Sequence, residues 1–431
     1  MKLESPPIFN VSIEYLQRIW KGEFDDFLSK SDEKYFYWDD LKYKKDVPFE
    51  NPDDNWTLIK TYRTSKYENI EFGNYKFFYF LSPYILKNLH DFDLKLMGGF
   101  NQNPILPSEK QEFLKNSLLE EAVASSQVEG AATTTEVAKE MLKSGRSPRN
   151  ESEQMIFNNL RAINYISEFK NSDLNFRLIL ELHEIMTALT EAEKFSGDFR
   201  KSEVFVTDHI DGEIAHIPPH WTEVETLMKE LCEFINDERK FIHPIIKASI
   251  IHFMIGFIHP FEDGNGRTAR ALFYWLLLKK GYSLVENISI SRVILESRIQ
   301  YDKAFLKTEN DGNDLNYFIS YSIKNIRIAF EKLVHYRDRK LEERKKANLI
   351  SYELIDKGLN KRQADLVGSL YLDTQFKITL NLYAKKHEIV RQTASKDLNE
   401  LIKLGILIED KSSKPYSFNL KNRNVIEEFL S

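Results

Sequence analysis

The sequence predicts a mainly α-helical protein with one β-hairpin in its middle and a small α+β domain at its C-terminal end. Three observations carry this expectation. Two apolar, helix-like runs, Ile245 to Ile258 and Ala271 to Leu278, bracket a polar loop containing two glycines. Two short strand-like segments, Val204 to Thr207 and Glu213 to Ile217, close around Asp211-Gly212, a strong turn pair. After a charge run at Arg337 to Lys346, the pattern changes to strand, two helices and a strand pair. The expected divisions are an aromatic-rich, mostly helical region (1–105), a core domain (106–330), a charged helical linker (331–350) and a final domain (351–431).

A chain of 431 residues has room for two or three domains and a sizeable core. Hydrophobic residues at 42% and charged residues at 29% are the balance of a water-soluble globular chain. The formal net charge of −6 argues against a globally basic nucleic-acid binder and leaves a local patch open. Cys232 is the single cysteine, which excludes an intrachain disulfide and a cysteine metal cluster. Met1 to Pro7 lacks the apolar core of a signal peptide. The dense apolar runs are broken at Lys247 and His252 or stop at Lys279-Lys280, too short for a bilayer. A cytoplasmic protein without membrane contact is expected.

In chain order, the first hundred residues hold aromatic clusters (Tyr35 to Trp38, Phe77 to Phe80) that read as core more than as a recognition surface. Trp38-Asp39-Asp40 and Asn51-Pro52-Asp53 look like helix entries or loops. This region is expected to be helical and packed on the core domain. From Ser108 to Val128 the apolar spacing is helical, through Phe113, Leu114, Leu118, Leu119, Ala122 and Val123, and Gly130 is the natural cap. Glu129 then lies at the negative end of the helix dipole, which costs a few tenths of a kcal/mol unless a cation compensates. Ser125 precedes it by one helical turn. A solvated glutamate beside a helix end is the plain alternative.

Short helices follow to Leu142, from about Ser152 to Phe169 and from Phe176 to Thr190, with a break at Ser196 to Arg200. The hairpin comes next. Standing alone among helices, its open edges suit an extended peptide added as a further strand. Val204, Phe205, Val206, Ile214 and Ile217 are the candidate docking residues. His209 and His216 could suggest a metal pair, but no third ligand is evident. A helix from about Thr222 to Asn236 leads to the apolar pair.

The loop between that pair runs His259-Pro260-Phe261-Glu262-Asp263-Gly264-Asn265-Gly266-Arg267-Thr268-Ala269-Arg270. Gly264, Asn265 and Gly266 can turn successive N–H groups into one concavity, and a helix starting at Asn265 or Gly266 adds free donors and a positive dipole end. Arg267 and Arg270, at i and i+3, can leave that helix on one side towards a polyphosphate. Asp263 could hold a hard divalent cation, and His259 can accept a proton near neutral pH. The combination reads as a phosphate-transfer site. Further helices are expected from about Ser291 to Glu296 and from Leu315 towards Asn348.

The final segment reads as helix, a short strand at Lys377 to Thr379, helices at Leu380 to Lys386 and Gln392 to Leu404, and strands at Ile406 to Glu409 and Tyr416 to Asn419. This is the order of a winged helix-turn-helix. Arg391, Gln392, Thr393, Ser395 and Lys396 start the recognition helix, with Lys411 and Lys414 on the wing. DNA binding and use as a docking or homodimerisation module both remain open.

The loop matches the signature of the Fic family, His-x-Phe-x-(Asp/Glu)-Gly-Asn-Gly-Arg-x-x-Arg, at every defined position. Ser125-x-x-x-Glu129-Gly130 matches that family's inhibitory motif. Across roughly residues 110 to 330 the chain therefore resembles a Fic-type adenylyltransferase with its restraint in the same chain. The resemblance implies a Fic helical core, an inhibitory helix at about 108–130, and a hairpin serving as a flap that aligns a segment of an unidentified target protein. It implies ATP and Mg²⁺ as cofactors, with phosphates on Gly264, Asn265 and Gly266, the distal ones secured by Arg267 and Arg270, and the metal held through Asp263. His259 would be the base for AMP transfer to a Ser, Thr or Tyr hydroxyl, in a target or in the chain itself. Glu129 would pair with Arg270 and fill the room of the γ-phosphate. Phe261 is expected to point inward and anchor the loop. The alternatives are the Doc branch, whose altered nest pattern is absent here, a de-AMPylase using Glu129, and a nucleotide-sensing DNA-binding regulator.

Overall fold

The structure is a computed structural model that describes residues 3–97, 107–208, 211–372, 377–412 and 414–431. It divides into two compact units, Met1–Glu331 and Lys332–Ser431. Helices dominate both.

The first unit begins with α1 (Ile13–Trp20), α2 (Asp25–Lys34), α3 (Trp38–Leu41) and α4 (Pro52–Thr64). Asn51 caps α4 by accepting from the Asp53 N–H, and Pro52 stands at the first helical position, where no N–H is needed. Tyr35, Phe36, Tyr37 and Trp38 are all buried, so this aromatic cluster is core. The mostly helical region also contains a strand pair that its sequence did not reveal. Strands β1 (Glu68–Phe72) and β2 (Tyr75–Tyr79) form an antiparallel hairpin, turned by Gly73 at φ +55°. Its apolar side, with Phe72 and Phe77, packs on Phe234, Phe253 and Phe257. Helix α5 (Pro83–Leu96) follows.

The next elements are α6 (Pro107–Val128), α7 (Thr135–Ser144), α8 (Glu151–Glu168) and α9 (Phe176–Thr187). Strands β3 (Val206–Thr207) and β4 (Ile214–His216) make the second hairpin, with Val206 opposite His216 and an irregular register. It is shorter than its sequence pattern predicts. Val204, Phe205 and Ile217 lie outside the paired residues, and Pro218-Pro219 has no N–H with which to extend the ladder beyond Ile217. His209 lies outside the described residues.

Helix α10 (Val224–Asn236) precedes α11 (Pro244–Ile258) and α12 (Asn265–Lys279), which pack on each other at the centre of the unit. From Ile245 to Ile258 every residue but Gly256 is buried, as expected of a helix apolar on all sides. Lys247 is tolerated because its ammonium donates to the carbonyls of Ile235 and Asp237 at the end of α10. After α13 (Ile290–Glu296) the chain forms α14 (Arg298–Asn310), a helix absent from the sequence reading. Tyr301, Ala304 and Thr308 are its buried residues.

Helix α15 (Asn316–Asp356) contains residues of both units and runs past the expected end near Asn348. In the first unit its start is tied to the N-terminal region by a buried polar network. Lys60 Nζ lies 2.9 Å from Asp311, and Tyr35 and Tyr67 both donate to Asp314. Arg63 donates to the Tyr317 hydroxyl at 3.1 Å.

The second unit has α16 (Lys361–Leu372), β5 (Ile378–Thr379), α17 (Leu380–Lys386), α18 (Arg391–Lys403), β6 (Leu407–Asp410), β7 (Ser417–Leu420) and α19 (Asn424–Leu430). The strands form one antiparallel sheet in the order β5-β7-β6. Leu366, Leu370, Tyr383, Leu398, Leu401 and Phe418 share its core. Arg391, Gln392 and Lys396 are exposed at the start of α18, while Thr393 and Ser395 are half-buried. Lys411 and Lys414 are exposed between β6 and β7. Helix α19, unread from the sequence, closes the unit.

Candidate active site

The chain leaves α11 at His259, which caps that helix with φ +50°. A non-glycine residue in this left-handed region costs on the order of 1 kcal/mol, so the surroundings must hold it there. Arg200 does much of that. Its backbone N–H donates to the Pro260 carbonyl at 2.9 Å, and its buried guanidinium donates to the carbonyls of His259 (2.8 Å), Ser202 (2.9 Å) and Pro219. One side chain thus ties the signature loop to both ends of the β3–β4 segment.

His259 Nδ1 lies 3.3 Å from the Gly256 carbonyl, which can only accept, so Nδ1 carries the proton and the Nε2 lone pair is free. Burial lowers the His259 pKa to about 4, with the bond to Gly256 only partly opposing it. The ring is therefore a neutral acceptor at physiological pH.

The rest of the loop is pinned from inside. Phe261 is fully buried, stacked on the His183 ring at 3.8 Å between centroids. Asn265 folds back, accepting from the Phe261 N–H at 2.9 Å and donating to its carbonyl at 2.8 Å. Its side chain shapes the loop, and its backbone N–H is what remains for a ligand. His183 Nε2 donates to the Asp263 carbonyl at 3.0 Å. Gly264 turns the chain at φ +85°, and α12 starts at Asn265. The amides of Asn265, Gly266 and Arg267 precede the first intrahelical bond, from Thr268 N–H to the Gly264 carbonyl. They form an anion-ready helix end.

A carboxylate stands over it. Glu129 approaches Gly266 so closely that a Cβ on that residue would lie 2.2 Å from Glu129 Oε1, so any larger residue would push the carboxylate aside. Arg270 donates through Nη1 to Glu129 (2.9 Å), through Nε to Ser125 Oγ (2.9 Å) and through Nη2 to the Ser125 carbonyl (2.8 Å). Burial pushes the Glu129 pKa up, but the guanidinium groups of Arg270, Arg298 and Arg267 outweigh it, and the net shift is downward. Arg298 also donates to the Val128 carbonyl, covering the end of α6. The awkward position of Glu129 at a helix C-terminus is thus compensated by cations and by the N-terminus of α12.

The two signature arginines do not leave α12 on one side. Arg267 turns towards α9, donating to the Met186 carbonyl (3.1 Å) and to Asp263 (2.9 Å), and is 1% exposed. Asp263 is itself largely exposed. Glu129, His259, Gly266, Arg298 and Tyr301 line one cavity of about 150 Å³. Small-molecule sites typically span roughly 300–1,000 Å³, so with Glu129 in place the room is short for a nucleotide.

On the far wall, His216 of β4 pins the hairpin. Its Nδ1 lies 2.7 Å from Glu309 and its Nε2 2.8 Å from the Phe257 carbonyl. Phe205, Ile214 and Ile217 are exposed, and Val204 and Val206 are half-buried. Among the described residues no cluster of three metal-ligating side chains occurs.

His216 was weighed in the sequence only as half of a metal pair, and Arg200, His183, Arg298 and Tyr301 were not singled out there. The last two had a signal, because Tyr301, Ala304, Phe305 and Thr308 follow helical spacing directly after α13.

Comparison with known proteins agrees with this geometry. The Fic/DOC family model matches residues 173–277. The chain is 29% identical over 163 residues to "Protein adenylyltransferase Fic" of Aedes aegypti, covering 38% of this chain and 30% of that protein. It is 32% identical over 163 residues to the Drosophila melanogaster protein of the same name, covering 37% and 30%. The match thus spans about a third of the length of these relatives. By fold, it resembles a Fic family protein from Desulfovibrio desulfuricans G20 (TM-score 0.52, 17% identity, 78% of this chain and 94% of that one). It also resembles Fic-1 from C. elegans (TM-score 0.50, 20% identity, 76% and 87%). Residues 173–277, which hold His259, the β3–β4 hairpin and the α12 anion site, are thus similar to the Fic/DOC family model, and the chain shares its fold with Fic proteins.

Proposed function

We propose that the chain is an autoinhibited protein adenylyltransferase, moving AMP from ATP to a Ser, Thr or Tyr hydroxyl. The observation that carries the reading is the Glu129 carboxylate over Gly266, bonded to Arg270 at the helix N-terminus that would receive phosphate. Displacement of Glu129 frees both the α12 amides and Arg270 for the ATP phosphates. A target hydroxyl aligned by the β3–β4 flap then gives its proton to His259 Nε2. Its oxygen attacks the α-phosphorus as the bond to the bridging oxygen breaks, and pyrophosphate leaves. Positioning and charge stabilisation supply the catalysis. Mg²⁺ usually binds through one or two carboxylates plus phosphates and waters, which the exposed Asp263 suits. It would neutralise phosphate charge there.

The test is incubation with α-labelled ATP. The native chain should label weakly, Glu129→Gly strongly, on itself or an added target, and the double variant with His259→Ala not at all. Label transfer from γ-labelled ATP, or transfer that survives His259→Ala, contradicts this reading. A second reading follows from Glu129 and His259 lining one cavity: Glu129 could orient a water that removes AMP from a modified protein. Release of AMP from pre-labelled chain by native protein, lost in Glu129→Gly, would favour it. The exposed residues at the start of α18 leave a DNA or protein partner for the second unit as a separate proposal, tested by retardation of DNA fragments.

A further inference from the structure

We infer that the first unit holds a second ligand site, a basic cleft for a compact anion carrying two or more phosphate groups. It lies on the side of α14 turned away from His259, and it does not depend on the transfer chemistry above. The helix has two working stripes. Tyr301, Asp302, Phe305 and Glu309 line the catalytic cavity, whereas Gln300, Lys303, Ala304 and Lys307 line the cleft.

The cleft encloses about 490 Å³, within the range of roughly 300–1,000 Å³ typical of small-molecule sites. Its walls come from the end of α2, from Tyr84 of α5, from α14 and from the first turns of α15. Lys34, Lys303, Lys307, Lys324 and Arg327 face it, against the single carboxylate of Glu33, in a chain whose net charge is −6. Lys307 also meets Asp40 at 2.7 Å, and Arg327 meets Glu331 at 4.0 Å. Lys34, Lys303 and Lys324 have no ion-pair partner among the described residues. Like charges gathered in a concavity repel one another, and a multivalent anion removes that repulsion.

Neutral donors are present as well. The Tyr84 hydroxyl accepts from Arg327 at 3.3 Å and keeps its own proton to donate. The Ser320 hydroxyl on the same wall has no hydrogen-bond partner, and rotation about its Cα–Cβ bond would present it to a ligand. Cations converging from three helices on one cleft suit a compact polyanion, not an extended strand. A free polyphosphate and the phosphate tail of a nucleotide share that chemistry.

Titration calorimetry of the full chain with inorganic tripolyphosphate and, separately, with ADP distinguishes those two sources. The expected result is saturable binding of at least one probe, weakened at least tenfold by Lys303→Glu combined with Lys324→Glu. Tighter binding of tripolyphosphate assigns a free polyphosphate, and tighter binding of ADP a nucleotide tail. Lys303→Gln with Lys324→Gln, which removes charge without reversing it, should weaken binding less and keep the native thermal midpoint. That pair decides the case if the reversed variant misfolds. Bound probe should slow amide exchange within residues 317–327. No saturable binding, binding indifferent to both lysine pairs, or slowed exchange confined to residues 259–272 would overturn the proposal.

Discussion

At the scale of single residues, the proposed mechanism turns on an exchange of anions at Arg270. The guanidinium is 2% exposed and bonded on all three nitrogens, and one of its partners is the ionised Glu129. Removing one member of a buried ion pair costs about 3–5 kcal/mol, and the 26% exposure of Glu129 puts this case near the lower end. Glu129→Gly is therefore expected to lower the thermal midpoint while raising AMP transfer. ATP should stabilise the variant far more than the native chain, because its phosphates take over the charge that Glu129 supplied. A thermal-shift series with and without ATP checks this, and equal stabilisation of both proteins would count against it. His259 yields a second expectation. With its pKa lowered to about 4, it is a neutral base across the working range, so transfer by Glu129→Gly should be flat from about pH 5.5 to 8. A rise centred near 6.5 would show that burial does not control the ring. The residues behind both predictions were legible as motifs, because phosphate chemistry restricts side-chain types at fixed spacing. Arg200 and His183 were not, since their meaning lies in which backbone carbonyls they reach after folding.

At the scale of elements, apolar periodicity revealed α11 and α12, turn chemistry revealed the β3–β4 hairpin, and the order from β5 to β7 followed the expected pattern. The misses have physical causes. In β1, Asn69 and Glu71 are exposed and the charged Glu68 shares the inner face with Ile70 and Phe72, which hides a strand whose buried residue is Phe72. In α14, long polar side chains occupy the faces between its apolar positions, so its average composition looks like linker. Both hidden elements matter for the site, α14 by lining it and β2 by hydrogen-bonding through Phe78 to Asn313 and Leu315 just beyond α14. The connection made by Arg200 can be tested at this level. It joins the loop after α11 to the approach and exit of the flap, and a displacement of about 1 Å at a reacting group can cost about 100-fold in rate. Arg200→Ala in the Glu129→Gly background should lower kcat by roughly 10- to 100-fold, as loop and hairpin lose their common anchor. Unchanged turnover would mean that the Phe261 and Asn265 contacts suffice.

At the scale of the whole molecule, the two units should respond differently to acid. In the first, burial lowers His183 and His259 to about 4 and His252 to about 3, and lowers His243 as well. Each is neutral when folded but takes up a proton near pH 6.5 when unfolded. Between about pH 6.5 and 4 the unfolded chain therefore binds more protons, so stability falls as the pH falls through that window. A depression of about 2.5 units corresponds to about 3 kcal/mol once the pH is below the folded value, and part of it is already lost at pH 5. The second unit has one histidine with a lowered pKa, the half-buried His387. Carboxylates held low by cations, such as Glu153 at about 2, lose their contribution only at more acidic pH, below their unfolded values near 4.5. Calorimetry of the full chain at pH 7 and pH 5 should consequently show the transition of the first unit moving down by several degrees, with that of the second nearly fixed. The burial that keeps His259 neutral for proton acceptance would then, acting on all four histidines, set the acid limit of the molecule. A parallel shift of both transitions would place that limit elsewhere.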